Sequence, residues 1–360
     1  MANLGRRGFV AACGTLGAGA LPYRAIAKAL TATPADDLSA VDPELRPLAE
    51  TFLKQREAGP PLSLANLAQA RAAGLQNAPA ALPDVPYLSK RIPVPDNPPG
   101  KGGEVTVYVI NSTPGASRPA ILHVHGGGFI SGSPLSDLRR LQQLAHDLRL
   151  TIVSVDYDLA PEARYQRSIE QNYAALKWTY DHAADLGIDR QRIAVLGGSA
   201  GGGHAAILAI VARDRGEVPL CFQCLIYPML DDRTGTTRHP AAPIGKLIWT
   251  EDNNRLGWSS FLGQQPGGPT VPAVPVPARC RDLRGLPPTF IGVGSIDLFV
   301  DEDIDYARRL IDAGVPTQLV VVPGAYHGFE ELVPQARISQ RFTQMLEASL
   351  KTAFKEAGDK

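Results

Sequence analysis

The sequence predicts an α/β protein: a mainly parallel, doubly wound sheet of eight strands, with helices on both faces and a helical cap. Three observations carry that expectation. Short apolar runs alternate with helical segments from about residue 119 to the end, the pattern of successive βαβ units. Glycine-rich turns follow two of the strands, at 126–128 and 197–203, and in open α/β sheets ligands bind beyond the carboxyl ends of the strands. The stretch 230–285 then breaks the rhythm with Trp249, Trp258 and a Pro-rich tail, as an insertion above the sheet would.

The elements follow in order. Residues 1–27 hold Arg6-Arg7, an apolar Ala/Gly-rich stretch and a small-residue exit at Ala25-Ile26-Ala27. This layout predicts a twin-arginine-type signal and export to the periplasm, the alternative being the N-terminus of a cytoplasmic enzyme. Residues 28–87 read as an N-terminal helical cap segment and linker, with helices at 43–58 and 62–74 separated by Gly59-Pro60-Pro61. A catalytic domain spans 88–357. It opens with a hairpin, 89–94 and 104–110, across the turn Pro95 to Gly100. Further strands are read at 119–124, 151–155, 192–196, 220–227, 288–293 and 317–322. Helices are read at 134–148, 166–185, 200–214, 302–313 and 335–354.

Composition narrows the function. Lys and Arg number 36, as do Asp and Glu, and 44% of residues are hydrophobic. A balanced charge gives no attraction to nucleic acid or an anionic membrane. No apolar run reaches the roughly 18 residues of a membrane-spanning helix. Beyond the signal the cysteines are Cys221, Cys224 and Cys280, an odd number that argues against a disulfide framework. Cys221 and Cys224 sit in a strand-like run, where positions three apart face opposite ways, so the C-x-x-C reads as structural.

The motif that carries chemistry is Gly197-Gly198-Ser199-Ala200-Gly201. An apolar strand precedes it and an Ala/Ile-rich helix follows, which makes Ser199 a nucleophile held out on a strained elbow. Such a serine needs a base, an orienting acid and donors for an oxyanion. His327 follows the last strand, after the serine and after an acid, in the chain order Ser…Asp…His. Asp297 ends its own strand, whereas Asp301 and Asp303 read as helix-dipole partners and caps. The loop His125-Gly126-Gly127-Gly128 directly follows a strand, and side-chain-free residues let amides approach a developing alkoxide. The amide of Ala200 would add a further donor.

Five segments together resemble the hormone-sensitive lipase family of α/β-hydrolase esterases. They are His125–Gly128, Asp156-Tyr157-Asp158-Leu159-Ala160-Pro161-Glu162, Gly197–Gly202, Asp297–Glu302 and His327-Gly328-Phe329. The match runs over about residues 88–350 in the family's order. It implies Ser199, Asp297 and His327 as the catalytic triad and the amides of Gly127, Gly128 and Ala200 as the oxyanion hole. It implies a small-molecule ester as substrate, with short to medium acyl chains, and no metal or organic cofactor. The family usually carries Asp, Glu or Thr before the serine, where this chain has Gly198. His125, Gly198, Trp249 and Trp258 are candidates for the substrate pocket. A lactone or amide would suit the same triad, and a non-catalytic small-molecule receptor is the rival from another class.

Overall fold

The computed structural model describes residues 38–95 and 103–359. The signal read at 1–27 and most of the turn read at 95–100 therefore lie outside the described residues. Helices α1 (Arg46–Ala58) and α2 (Leu67–Gln76) come first. The antiparallel pair β1 (Tyr87–Val94) and β2 (Gly103–Ile110) follows. Then come β3 (Arg118–Val124), α3 (Pro134–Asp147), β4 (Thr151–Asp156), α4 (Tyr165–Asp181) and the one-turn α5 (Ala183–Leu186). After β5 (Ile188–Gly198), α6 (Ala200–Arg215) and β6 (Phe222–Ile226) come residues 230–285, which contain α7 (Glu251–Leu262). It returns through β7 (Thr289–Gly294), α8 (Val300–Asp312), β8 (Thr317–Val322), the short α9 (Phe329–Leu332) and α10 (Arg337–Gly358).

The eight strands form one sheet in the order β1-β2-β4-β3-β5-β6-β7-β8. From β4 to β8 every neighbouring pair is parallel, and β1 and β2 extend the sheet antiparallel. Alternation along each strand divides the core. Ala120, Leu122 and Val124 join Ile193 and Val195 on one face, under α4, α6 and α8. Ile121, Ala194, Leu196 and Ile226 face the other way, with α3 and α10. A sheet covered on both sides needs near-continuous apolar strands, and β3 to β7 have them.

Two local readings change. Cys221 precedes β6 instead of lying within it, so strand alternation does not govern it, and Cys221 and Cys224 pack in the same core layer. Asp303 is not a helix cap: it is completely buried, with both carboxyl oxygens unpartnered, and burial raises its pKa well above the usual range.

Parallel register places the loops. Val124 pairs with Gly197, Gly198 with Ile226, and Gly294 with Val322. The segments after β3, β5, β7 and β8 therefore leave from one edge of the sheet, and those four carry His125–Gly128, Ser199, Asp297 and His327.

Candidate active site

Ser199 stands between β5 and α6 at φ 57°, ψ −125°, a region costing about 1–3 kcal/mol for a residue with a side chain. Backbone bonds hold it there. Its amide donates to Ile226 O (2.9 Å), and its carbonyl accepts from Met229 N (2.9 Å) and Gly203 N (3.0 Å). Glycine makes the elbow tight enough: a Cβ on Gly197 would lie 2.2 Å from Gly201 O, and one on Gly201 would lie 2.1 Å from Val124 O. The helix thus starts against the strand edge, leaving Oγ pointing outward.

His327 Nε2 lies 2.9 Å from Ser199 Oγ, and His327 Nδ1 lies 2.8 Å from Asp297 Oδ2. The other Asp297 oxygen accepts from Phe299 N (3.0 Å), which fixes the carboxylate plane. The Asp297 side chain is buried, and Ser199 and His327 keep only a sliver of exposure. The three residues come from loops 30 and 128 positions apart, joined by sheet register alone.

The loop after β3 turns beside them. Gly127 and Gly128 take φ 113° and 62°. No backbone carbonyl among the described residues accepts from the amides of Gly127, Gly128 or Ala200. The Gly127 carbonyl is taken up by Ile130 N, Ser131 N and Ser131 Oγ, so the loop is braced from its own far side. A Cβ on Gly128 would sit 2.1 Å from the Trp249 indole. Trp249 is held there by its Nε1, which donates to Asn254 Oδ1 (3.1 Å), and by a tight turn from Trp249 N to Leu247 O with Ile248 at φ 62°. That turn is rare for a β-branched residue.

A cavity of about 670 Å³ opens over Ser199. Trp249, Ile248, Leu332 and Leu75 give it apolar walls, and His125 and Gly198 also line it. Trp258 does not: it is completely buried against Phe129 and Phe261. Its apolar bulk is used to anchor α7 to the domain, and sequence alone could not separate the two tryptophans. His125 stacks on Tyr157 at 4.2 Å, and burial pushes its pKa down to about 4. It therefore lines the cavity as a neutral ring.

The sequence reading missed three residues. Arg71 on α2 donates to Ile130 O and Ala160 O (both 2.7 Å) and forks onto Glu162, clamping α2 to the segments after β3 and β4. Tyr227 and Glu330 meet beside His327, with the Tyr227 hydroxyl donating to Glu330 Oε1 (2.7 Å). Tyr227 is the last residue of the run read as a strand, and that position at the carboxyl edge was the available signal. Glu330 lies three residues beyond the histidine and carried none. Burial, with Glu331 alongside, pushes the Glu330 carboxyl up to about 7.

The fold agrees with comparisons to known proteins. The model of a family described as having the α/β-hydrolase fold matches residues 121–331. A carboxylesterase of Mycobacterium tuberculosis, NlhH, is 34% identical over 295 residues, covering 80% of this chain and 88% of its own. The chain belongs to the hormone-sensitive lipase-like α/β-hydrolase family. An ethyl acetate hydrolase of Pseudomonas putida is 34% identical over 222 residues, 60% of this chain and 67% of that protein. Among solved structures, a bacterial heroin esterase superposes with a TM-score of 0.77 at 34% identity, covering 88% of this chain and 98% of that one. For this hydrolase, among the described residues, no helix is long and apolar enough to cross a membrane.

Proposed function

We propose that the protein is a serine carboxylesterase acting on short- to medium-chain esters through an acyl-enzyme. The observation that carries this reading is the run Asp297–His327–Ser199, at 2.8 and 2.9 Å, ending on a hydroxyl beneath the Gly127-Gly128 loop. Ser199 Oγ attacks the ester carbonyl while His327 Nε2 takes its proton. Asp297 holds the Nδ1–H tautomer and stabilises the imidazolium. The amides of Gly127, Gly128 and Ala200 receive the negative charge that develops on the carbonyl oxygen. His327 then returns the proton to the leaving alcohol, and water repeats the sequence to release the acid.

The acyl-length assignment rests on the enclosure by Trp249 and Ile248, and on the similarity to proteins named for small esters. Steady-state hydrolysis of nitrophenyl esters, with fluorophosphonate labelling, tests the whole reading. Wild type should turn over and label at Ser199, and Ser199→Ala should do neither; activity surviving in that variant would sink the idea. Residues 1–27 we assign as a twin-arginine-type leader, which sequencing of the N-terminus of exported protein checks.

A further inference from the structure

Gly198 leaves an open face beside the nucleophile, and Tyr227 fills it. A Cβ on Gly198 would just touch the ring, 3.4 Å from Cε2, so any longer side chain there would displace it. The Tyr227 ring meets the His327 imidazole edge-on, centroids 4.6 Å apart, and Phe299 makes a second edge contact at 5.2 Å. Tyr227 itself is pinned at φ 34°, with its amide donating to Gly292 O (2.6 Å). Its hydroxyl returns to Glu330, on the helix that begins two residues after His327. The circuit is closed: histidine loop, Glu330, Tyr227, imidazole. Glu330 is buried, and its Oε2 has no partner, so the whole carboxyl is committed to this one bond.

We propose that Tyr227 and Glu330 are a positioning pair for His327, tying the ring packed against the imidazole to the loop that carries it. The inference rests on His327 being the general base. Tyr227 lines the cavity and packs on the imidazole edge, and its hydroxyl is spent on Glu330, so the pair acts through the alignment of His327. The groups bearing on Glu330 are Tyr227 from the end of β6, Glu331 on its own helix, and Arg140 from α3. Arg140 is itself paired with Glu331 (2.8 Å) and has Asp137 beyond it at 3.7 Å. An ionised Glu330 accepts strongly from the phenol, and protonation weakens that bond. Since Glu330 is pushed up to about 7, the tie is complete above neutrality and loosens below it.

The test is kinetic, on the intact chain with a short-chain nitrophenyl ester across the neutral range. Tyr227→Phe keeps the ring and removes the tie. We expect kcat to fall roughly tenfold at alkaline pH with KM unchanged, less than the roughly hundredfold of a misplaced reacting group. The deficit should shrink below about pH 7. Glu330→Gln keeps an acceptor but cannot ionise, and its ratio to wild type should vary with pH in the same way. Either variant matching wild type in kcat and pH profile overturns the pairing, as does a loss confined to KM. If Tyr227→Phe melts early, Glu330→Gln decides alone. A wild type that neither hydrolyses esters nor labels at Ser199 removes the underlying reading, whereas an active wild type with indifferent variants removes only the pair.

Discussion

The floor of the candidate site and the segments we read as its cap, α2 and residues 230–285, are held by different means. In the floor, the ends of β3, β5, β7 and β8, position comes from backbone: parallel register, amide-to-carbonyl bonds around Ser199, and glycines whose missing side chains let segments touch. In the cap, side chains do the holding. Arg71 clamps α2, Asp231 binds Arg233 and Arg238, and Asp232 forks onto Arg279. Glu302 gathers Leu230 N, Asp231 N and the Thr234 hydroxyl. The lesson is that the loops of the floor take their places from main chain, with side chains left to orient the imidazole, whereas the cap depends throughout on side-chain ties that can be exchanged.

Four substitutions test that contrast, starting with the largest effect. Ser199→Ala should lower kcat by about 10⁴-fold or more, with the melting temperature little changed, since the backbone bonds that hold the elbow remain and alanine keeps the Cβ that bears the strain. A large loss of stability would show that the elbow depends on the side chain. Gly128→Ala drives a methyl into Trp249 at a positive φ, and should cost on the order of 100-fold in kcat through the displaced donors. Adding Trp249→Ala removes the clash and should restore part of that loss; no restoration would mean that the loop conformation alone is responsible.

His204 probes the floor from below. It is buried among Phe129, Tyr157 and Phe261, both ring nitrogens lack partners, and burial pushes its pKa down to about 3. A histidine with a lowered folded pKa binds protons more readily when unfolded, so its effect on stability worsens as pH falls below the unfolded value of about 6.5 and on towards 3. His204→Leu should therefore stabilise. Its advantage over wild type should be about 2 kcal/mol larger at pH 5 than at pH 7.5, as read by denaturant titration. An advantage that does not vary with pH would contradict a neutral buried imidazole. The smallest effect belongs to the cap. Trp249→Ala should shift the ratio of medium-chain to short-chain kcat/KM upward by about tenfold, and an unchanged ratio would take Trp249 out of the acyl wall.

The same division explains what could be read from sequence. The strand-and-helix order, the sheet type and the positions of Ser199, Asp297 and His327 were legible, because glycine spacing and apolar runs are imposed by the main chain. The cap was legible only as an interruption. Trp249 and Trp258 look alike in sequence, yet the turn at Ile248 aims the first towards the cavity and α7 carries the second into the core. Helix α7 itself was unreadable because Gly257 and two asparagines break its apolar pattern. Tyr227 and Glu330 meet only through tertiary folding, 103 positions apart.

Gly257 is not a flaw in that helix. A Cβ there would lie 2.6 Å from Gly128 O, so α7 rests directly on the loop that offers the candidate oxyanion amides. Cap and floor meet closely at this joint, glycine against glycine. A chimaera that borrows a foreign cap to change substrate range would inherit turnover only if the donor helix brings a glycine to that crossing.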